Sequence, residues 1–136
     1  MQVIGLGIIV PIAEEFMFRG VIYKRLSFIT RRGKAMMLSA LMFGLYHGNL
    51  VQAIYGFILG YLAVYIYEKY GSLKASILFH AVINLTSVIG TEFGLYNWIF
   101  GNVLRVGIVT VICGAAASSF FVLMQKQFKN EAKADA

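Results

Sequence analysis

The sequence predicts an all-α membrane protein, built as a bundle of about five transmembrane helices. Of its 136 residues, 60% are hydrophobic and 13% are charged, and the mean hydropathy is +0.76. A soluble domain of this size has too little interior to bury so much apolar surface, so lipid is expected to cover it. The composition includes one proline and 14 glycines, and glycine permits close packing between membrane helices.

Each predicted helix is an apolar segment that ends at charged or turn-forming residues. In order, the segments are Val3–Tyr23, Ala35–His47, Leu50–Tyr67, Leu73–Ile89 and Trp98–Met124. The second is short for a full span and ends before the polar pair Gly48-Asn49, since a span needs about 20 residues. We expect residues 1–125 to form one transmembrane domain and residues 126–136 to form a polar cytoplasmic tail.

The net charge of +6 lies in short gaps between apolar segments. Basic residues follow the first and third segments and occupy the tail, which is the juxtamembrane pattern that faces the cytoplasm. The predicted partner is therefore the lipid bilayer and not a nucleic acid, and the C-terminus is predicted to be cytoplasmic. A chain that starts outside without a signal sequence also suggests that further helices precede Met1. Cys113 is the only cysteine, so an intrachain disulfide is excluded.

Small-residue spacings recur along the predicted helices. They are Gly44/Gly48, Gly56/Gly60 and Gly90/Gly94. Such GxxxG spacings let helix backbones approach closely. We expect them to serve packing within the chain rather than a dimer interface.

Charged residues interrupt the first apolar segment at Glu14, Glu15 and Arg19. Each charge at the centre of a membrane helix costs roughly 2.5–3.5 kcal/mol on insertion scales, so such residues usually serve a function. Glu15 and Arg19 have the i, i+4 spacing of an ion pair. Glu14 is then left as the unpaired carboxylate and is the candidate general base.

Three further polar residues, His47, His80 and Asn84, lie in the later segments. With a rise of about 1.5 Å per residue, Glu14 and Asn84 lie about 16 Å, His80 about 10 Å and His47 about 20 Å from the cytoplasmic boundary. These depths fall in the middle of a hydrocarbon core about 30 Å thick. The residues are therefore predicted to meet in one cavity. The structural alternatives are a hydrogen-bonded Glu14, an interfacial His47, and a His80/Asn84 pair that only ties helices together.

The chemistry that fits these residue types is amide hydrolysis by an activated water. Glu14 would accept the proton of water, His47 would position the water, and His80 with Asn84 would donate hydrogen bonds to the oxyanion. A covalent mechanism is disfavoured, because no base partner is recognisable for the serines Ser39, Ser76 and Ser87. Zn²⁺ held by Glu14, His47 and His80 stays open, although the spacing is not that of H-E-x-x-H.

Three motifs carry a family resemblance. Glu14-Glu15-x-x-x-Arg19, Phe43-x-x-x-His47 and His80-x-x-x-Asn84 resemble, in order and spacing, the motifs EExxxR, FxxxH and HxxxN. These belong to the CAAX protease and bacteriocin-processing (CPBP, or Abi) family of intramembrane endopeptidases, and the resemblance covers about Pro11 to Leu85.

The resemblance implies a helical family fold of up to eight helices in a bacterial cell membrane. It implies that Glu14 activates water with His47 as its partner, that His80 and Asn84 stabilise the oxyanion, and that Glu15 and Arg19 support the first motif. It also implies a membrane-bound protein or peptide substrate, including prenylated CAAX proteins, and residues 1–125 as a catalytic domain. Family members are often labelled metalloproteases. They usually have helices before the first motif, whereas here Glu14 lies close to Met1.

Two other classes of function also use polar residues inside a membrane. A proton- or ion-coupled transporter would use Glu, His and Arg along its pathway and would act only across a sealed membrane. A non-catalytic bacteriocin-immunity or membrane binding protein would keep its effect when Glu14 is replaced. An endopeptidase would instead cut a peptide in detergent and lose that activity with Glu14.

Overall fold

The computed structural model describes the backbone of residues 2–134 and the side chains of residues 3–119, 121–123, 125 and 126. Within this part of the chain all regular structure is helical, which confirms the predicted fold class. The helices are α1 (residues 2–29), α2 (Arg32–Tyr46), α3 (Leu50–Tyr70), α4 (Leu73–Glu92), α5 (Leu95–Phe100) and α6 (Val103–Ala134).

Three stretches of the described helices are long and apolar enough to cross a membrane. They are Leu50–Tyr70, Leu73–Glu92 and Val103–Leu123. The outward face of α3 is apolar, with Leu50, Ile54 and Ile58 all exposed, as a lipid-facing surface requires. The chain is therefore an integral membrane protein.

Helix α1 is continuous but irregular, with π-helical turns at Gly5–Ile9 and Phe16–Tyr23. Val10 donates its backbone N–H to Gly5, five residues back, and the next residue, Pro11, has no N–H to donate. The helix also runs beyond the predicted end at Tyr23, as far as Ile29. Lysine, arginine and leucine are good helix formers, so the basic residues after Tyr23 do not end it. It ends where Thr30 becomes extended, with φ −136°.

The turns on either side of α3 follow from glycine and asparagine. Gly48 has φ +74°, and the side chain of Asn49 accepts a hydrogen bond from Gln52 N at 2.8 Å to cap α3. At the other end, Gly71 adopts the left-handed conformation with φ +59° and terminates the helix. The predicted break at Gly48-Asn49 is thus confirmed.

Helices α2 and α3 pack at close range because glycines line their contact. A Cβ atom on Gly44 would lie 2.5 Å from Ala53 O, and one on Gly56 would lie 3.3 Å from the Gly44 Cα. A Cβ on Gly60 would lie 3.0 Å from Phe43 Cδ1. The prediction that these glycines serve packing within the chain is confirmed for Gly44, Gly56 and Gly60, whereas Gly48 and Gly94 lie at turns with positive φ.

The chain divides into two compact units, residues 1–90 and 91–136. The buried core of the first unit contains Tyr23, Ala35, Met36 and Val64. In the second unit, the single helix predicted for Trp98–Met124 is two helices, α5 and α6. Asn102 causes this break, because its Oδ1 accepts a hydrogen bond from Leu104 N at 2.9 Å and so caps α6.

The predicted tail, residues 126–136, continues α6 as far as Ala134. The described residues include neither residue 1 of the predicted domain nor residues 135 and 136 of the predicted tail. The side chains from residue 127 onward also lie outside them. The division into a catalytic domain and a cytoplasmic tail stays a prediction.

Candidate active site

Glu15 is the centre of a buried polar cluster in the first unit. Arg19 Nη1 donates to Glu15 Oε1 at 2.7 Å, and both side chains are fully buried. Ser76 Oγ donates to Glu15 Oε2, and His80 Nδ1 lies 2.9 Å from Glu15 Oε1. The predicted Glu15–Arg19 ion pair is therefore present, and it is joined by two donors from α4.

Arg19 connects this cluster to α2 and α3. Its Nη2 donates to Gly60 O at 2.7 Å, and its guanidinium lies 4.9 Å from the centre of the Phe43 ring. A buried charge is tolerated when it is paired and hydrogen-bonded. Arg19 is paired with Glu15 and hydrogen-bonded through both terminal nitrogens, whereas its buried Nε has no hydrogen-bond partner among the described residues.

The space on the Glu15 side of the cluster is closed. The cavity bordered by Glu15, Arg19, Phe43 and His80 has a volume of about 10 Å³, which holds one water molecule at most. A peptide substrate therefore has no room beside Glu15.

His80 lies between the two glutamates. Its Nε2 is 3.6 Å from Glu14 Oε2, while its Nδ1 contacts Glu15. An ionised carboxylate only accepts hydrogen bonds, so the contact with Glu15 requires a proton on Nδ1. The Nε2 atom is then directed towards Glu14. Glu14 is partly open, with a side chain 12% exposed, whereas that of Glu15 is fully buried.

His47 lies immediately after α2 in the turn to α3. Its Nδ1 is 2.9 Å from Phe43 O, and a carbonyl can only accept, so the proton of the neutral ring lies on Nδ1. The Nε2 atom is then an acceptor. The Phe43 ring packs edge-on against both imidazoles, 5.1 Å from His47 and 5.5 Å from His80. Since His80 also lies 3.6 Å from Glu14, the structure brings His47, His80 and Glu14 into one region.

Asn84 is held differently from the other predicted site residues. Its Nδ2 donates to Leu6 O at 3.0 Å, which joins α4 to α1. The side chain is partly exposed. His80 and Asn84 thus share a helix, but each contacts a different part of α1. The predicted catalytic roles of all four residues stay predictions.

Ser76 is the site residue that the sequence reasoning missed. Because Ser76 forms no motif with a base, no sequence pattern connects it with Glu15. The available signal was its position four residues before His80 on the same helix, which places both side chains on one face. Both contact the same carboxylate.

The predicted zinc ligands are Glu14, His47 and His80. Among the described residues, no group of three or more His, Cys, Asp or Glu side chains could hold a metal ion. The two histidines direct Nδ1 to Phe43 O and Glu15, an orientation that leaves Nε2 as the nitrogen a metal would bind. The zinc site therefore stays a prediction.

A protein-family model described as type II CAAX prenyl endopeptidase Rce1-like matches residues 1–86, which is more than half of the chain. The chain belongs to the Rce1-like family. This confirms the resemblance drawn from the three motifs. The matched range of this Rce1-like chain contains all six predicted site residues, which are Glu14, Glu15, Arg19, His47, His80 and Asn84.

A curated relative of this Rce1-like chain is the UPF0177 protein YxdF of Lactococcus lactis subsp. lactis (strain IL1403). The two are 32% identical over 81 residues, which cover 59% of this chain and 44% of the relative. The chain thus spans less than half the length of this relative. No solved structure matches the chain.

Proposed function

We propose that this chain is an intramembrane endopeptidase that hydrolyses a peptide bond of a membrane-associated substrate with a water activated by Glu14. The observation that carries the proposal is the arrangement of two adjacent glutamates around His80. Glu15 is fully engaged by Arg19, Ser76 and His80. The Glu14 carboxylate, by contrast, lies 3.6 Å from His80 Nε2, beyond hydrogen-bond distance, and is partly open.

The proposed reaction begins with a proton transfer from water to Glu14. The resulting hydroxide attacks the carbonyl carbon of the scissile peptide, and the carbonyl oxygen becomes an oxyanion. Glu14 then returns the proton to the amide nitrogen, the oxyanion re-forms the carbonyl, and the C–N bond breaks. The water and the peptide are consumed, and the products are a carboxylic acid and an amine, which become a carboxylate and an ammonium group when the acid proton passes to the amine.

The other residues would position the water and stabilise the charge. His47 accepts a hydrogen bond from the attacking water through Nε2, because its Nδ1 proton is directed to Phe43 O. His80 would donate from Nε2 to the oxyanion, with a proton on that nitrogen as well, while Glu15 holds its Nδ1. Asn84 has a second N–H besides the one bound to Leu6 O, and this N–H is a further donor.

The family indicates the substrate class. Type II CAAX prenyl endopeptidase is the description of the matching family, so a prenylated CAAX protein or peptide is the first substrate to test. A bacterial cell membrane with the C-terminus in the cytoplasm is the proposed location, on the distribution of basic residues. No step is assigned to Zn²⁺, whose site stays a prediction.

The test compares wild type, Glu14→Gln and Glu92→Gln in detergent, on a panel of membrane peptides and prenylated CAAX peptides with and without a chelator. Glu92 is an exposed carboxylate at the end of α4, so its variant controls for the loss of one charge. We expect cleavage by wild type and Glu92→Gln, loss in Glu14→Gln, and no effect of the chelator. Loss with the chelator would require a metal, and no cleavage of the panel by wild type would contradict the proposed activity.

A further inference from the structure

We infer that Ser76 is a positioning residue, which fixes the Glu15 carboxylate so that His80 directs Nε2 towards Glu14. The inference rests on the proposed function for its link to catalysis, but the geometry behind it does not. Ser76 and His80 are four residues apart on α4 and contact the two oxygens of one carboxylate, Oε2 and Oε1 respectively. All three side chains are buried.

The orientation of a glutamate carboxylate about its last torsion is weakly determined by the side chain itself. Arg19 and His80 both bind Oε1, so without Ser76 only one of the two oxygens resists a turn of the carboxylate about this torsion. Ser76 Oγ supplies the donor to Oε2. Hydrogen bonds at both oxygens restrain the torsion more tightly than bonds at one, and the orientation of the carboxylate sets how the imidazole of His80 is held at Nδ1.

The orientation of the Glu15 carboxylate affects Glu14 through the rigid ring of His80. Since Nδ1 and Nε2 belong to one planar imidazole, fixing Nδ1 on Glu15 sets the direction of Nε2, which lies 3.6 Å from Glu14. Without the Ser76 hydroxyl, Glu15 Oε2 loses its donor and the carboxylate can turn. His80 then samples other orientations, and Nε2 is less often directed to the reacting atoms.

Ser39 provides a matched control. It is also buried, at 1% exposure, and its Oγ donates across helices to Phe18 O at 3.3 Å. Ser39→Ala therefore removes a buried interhelical serine hydrogen bond, as Ser76→Ala does, but the lost bond does not involve Glu15 or His80.

The experiment measures the ¹⁵N NMR signals of the His80 ring and the cleavage kinetics of the full chain in detergent. Ser76→Ala is expected to shift the His80 signals and to lower kcat about tenfold with KM nearly unchanged. Tenfold is the lower end of what losing an orienting partner costs a metal-bound imidazole. Ser39→Ala should leave both readouts near wild type. Ser76→Thr, which keeps a hydroxyl, should restore the wild-type signals, and Ser76→Cys replaces Ser76→Ala if the alanine variant does not fold.

Unchanged His80 signals in the folded Ser76 variant would overturn the inference, and so would a shift equal to that of Ser39→Ala. Shifted signals with an unchanged kcat would also overturn it, because Ser76 would then be structural only. If wild type cleaves no substrate, the proposed function fails, while the NMR comparison still decides whether Ser76 positions His80.

Discussion

Glu14 and Glu15 are neighbours in the sequence but lie in very different environments. Glu15 is fully buried and binds Arg19, Ser76 and His80 beside a cavity of about 10 Å³. Glu14 is partly open and faces the opposite nitrogen of the same imidazole at 3.6 Å. His80 thus separates two sides of the site: a closed side, formed by Glu15 with Arg19 and Ser76, and an open side, where Glu14 lies.

The difference shows how two adjacent glutamates of one helix come to have different environments and different expected roles. Successive residues of a helix point in different directions, so only one glutamate is directed into the packed contact with α3 and α4. The carboxylate that is completely paired can stabilise the fold and hold His80. The carboxylate that is partly exposed is the one proposed to activate water.

The largest expected effect comes from Glu15→Gln. This change keeps the side-chain shape but leaves the charge of Arg19 buried without its partner. Breaking a buried ion pair in this way costs about 3–5 kcal/mol. We expect a loss of that size in the free energy of unfolding, measured by denaturant titration in detergent.

The double variant Glu15→Gln/Arg19→Met tests the reason for this loss. If the uncompensated charge is responsible, removing it should recover part of the lost stability. If Glu15→Gln has the same free energy of unfolding as wild type, the ion pair of the closed side does not stabilise the fold.

An intermediate effect is expected for Gly44→Ala, which changes the packing between α2 and α3 without changing a charge. The new Cβ would lie 2.5 Å from Ala53 O and 2.9 Å from Phe57 N, both backbone atoms. Helices α2 and α3 must then separate, at a cost of about 1–3 kcal/mol. Gly33→Ala is the control, because no atom lies within 4 Å of its Cβ position. Equal unfolding free energies for the two variants would contradict close packing at Gly44.

A smaller effect on stability is expected on the open side, from Asn84→Ala. The change removes the hydrogen bond to Leu6 O and should lower the free energy of unfolding by about 1 kcal/mol. Its effect on cleavage should be larger, about 10²-fold or more, if Asn84 donates to the oxyanion. Thr86→Ala, which removes a bond to Val82 O within α4, should change neither. Full cleavage by Asn84→Ala would remove Asn84 from the proposed mechanism.

Much of the fold could be predicted because it depends on local signals. Apolar segments predicted the long helices, and Gly48-Asn49 predicted the break before α3. The extension of α1 to Ile29 does not follow from the apolar segment, because the basic residues after Tyr23 interrupt the hydrophobic pattern but are good helix formers. The break before α6 was missed because the apolar run hides the cap that Asn102 provides.

The site could be predicted only where its contacts are local. The spacing of Glu15 and Arg19 within one helix predicts their ion pair. The contacts of Ser76 and His80 with Glu15 join residues 61 and 65 positions apart. No spacing rule predicts such contacts, because they depend on how α4 packs against α1. For the same reason the sequence did not reveal that His80 faces both glutamates.

The most direct test of this division is the specific activity of folded Glu14→Gln, measured on the same samples as its unfolding free energy. We expect cleavage to fall at least about 10²-fold, the range of a lost general base, and the free energy of unfolding to change by less than about 1 kcal/mol. Cleavage equal to wild type would contradict Glu14 as the base. A loss of stability as large as that of Glu15→Gln would contradict the separation of the two glutamates into an open and a closed side.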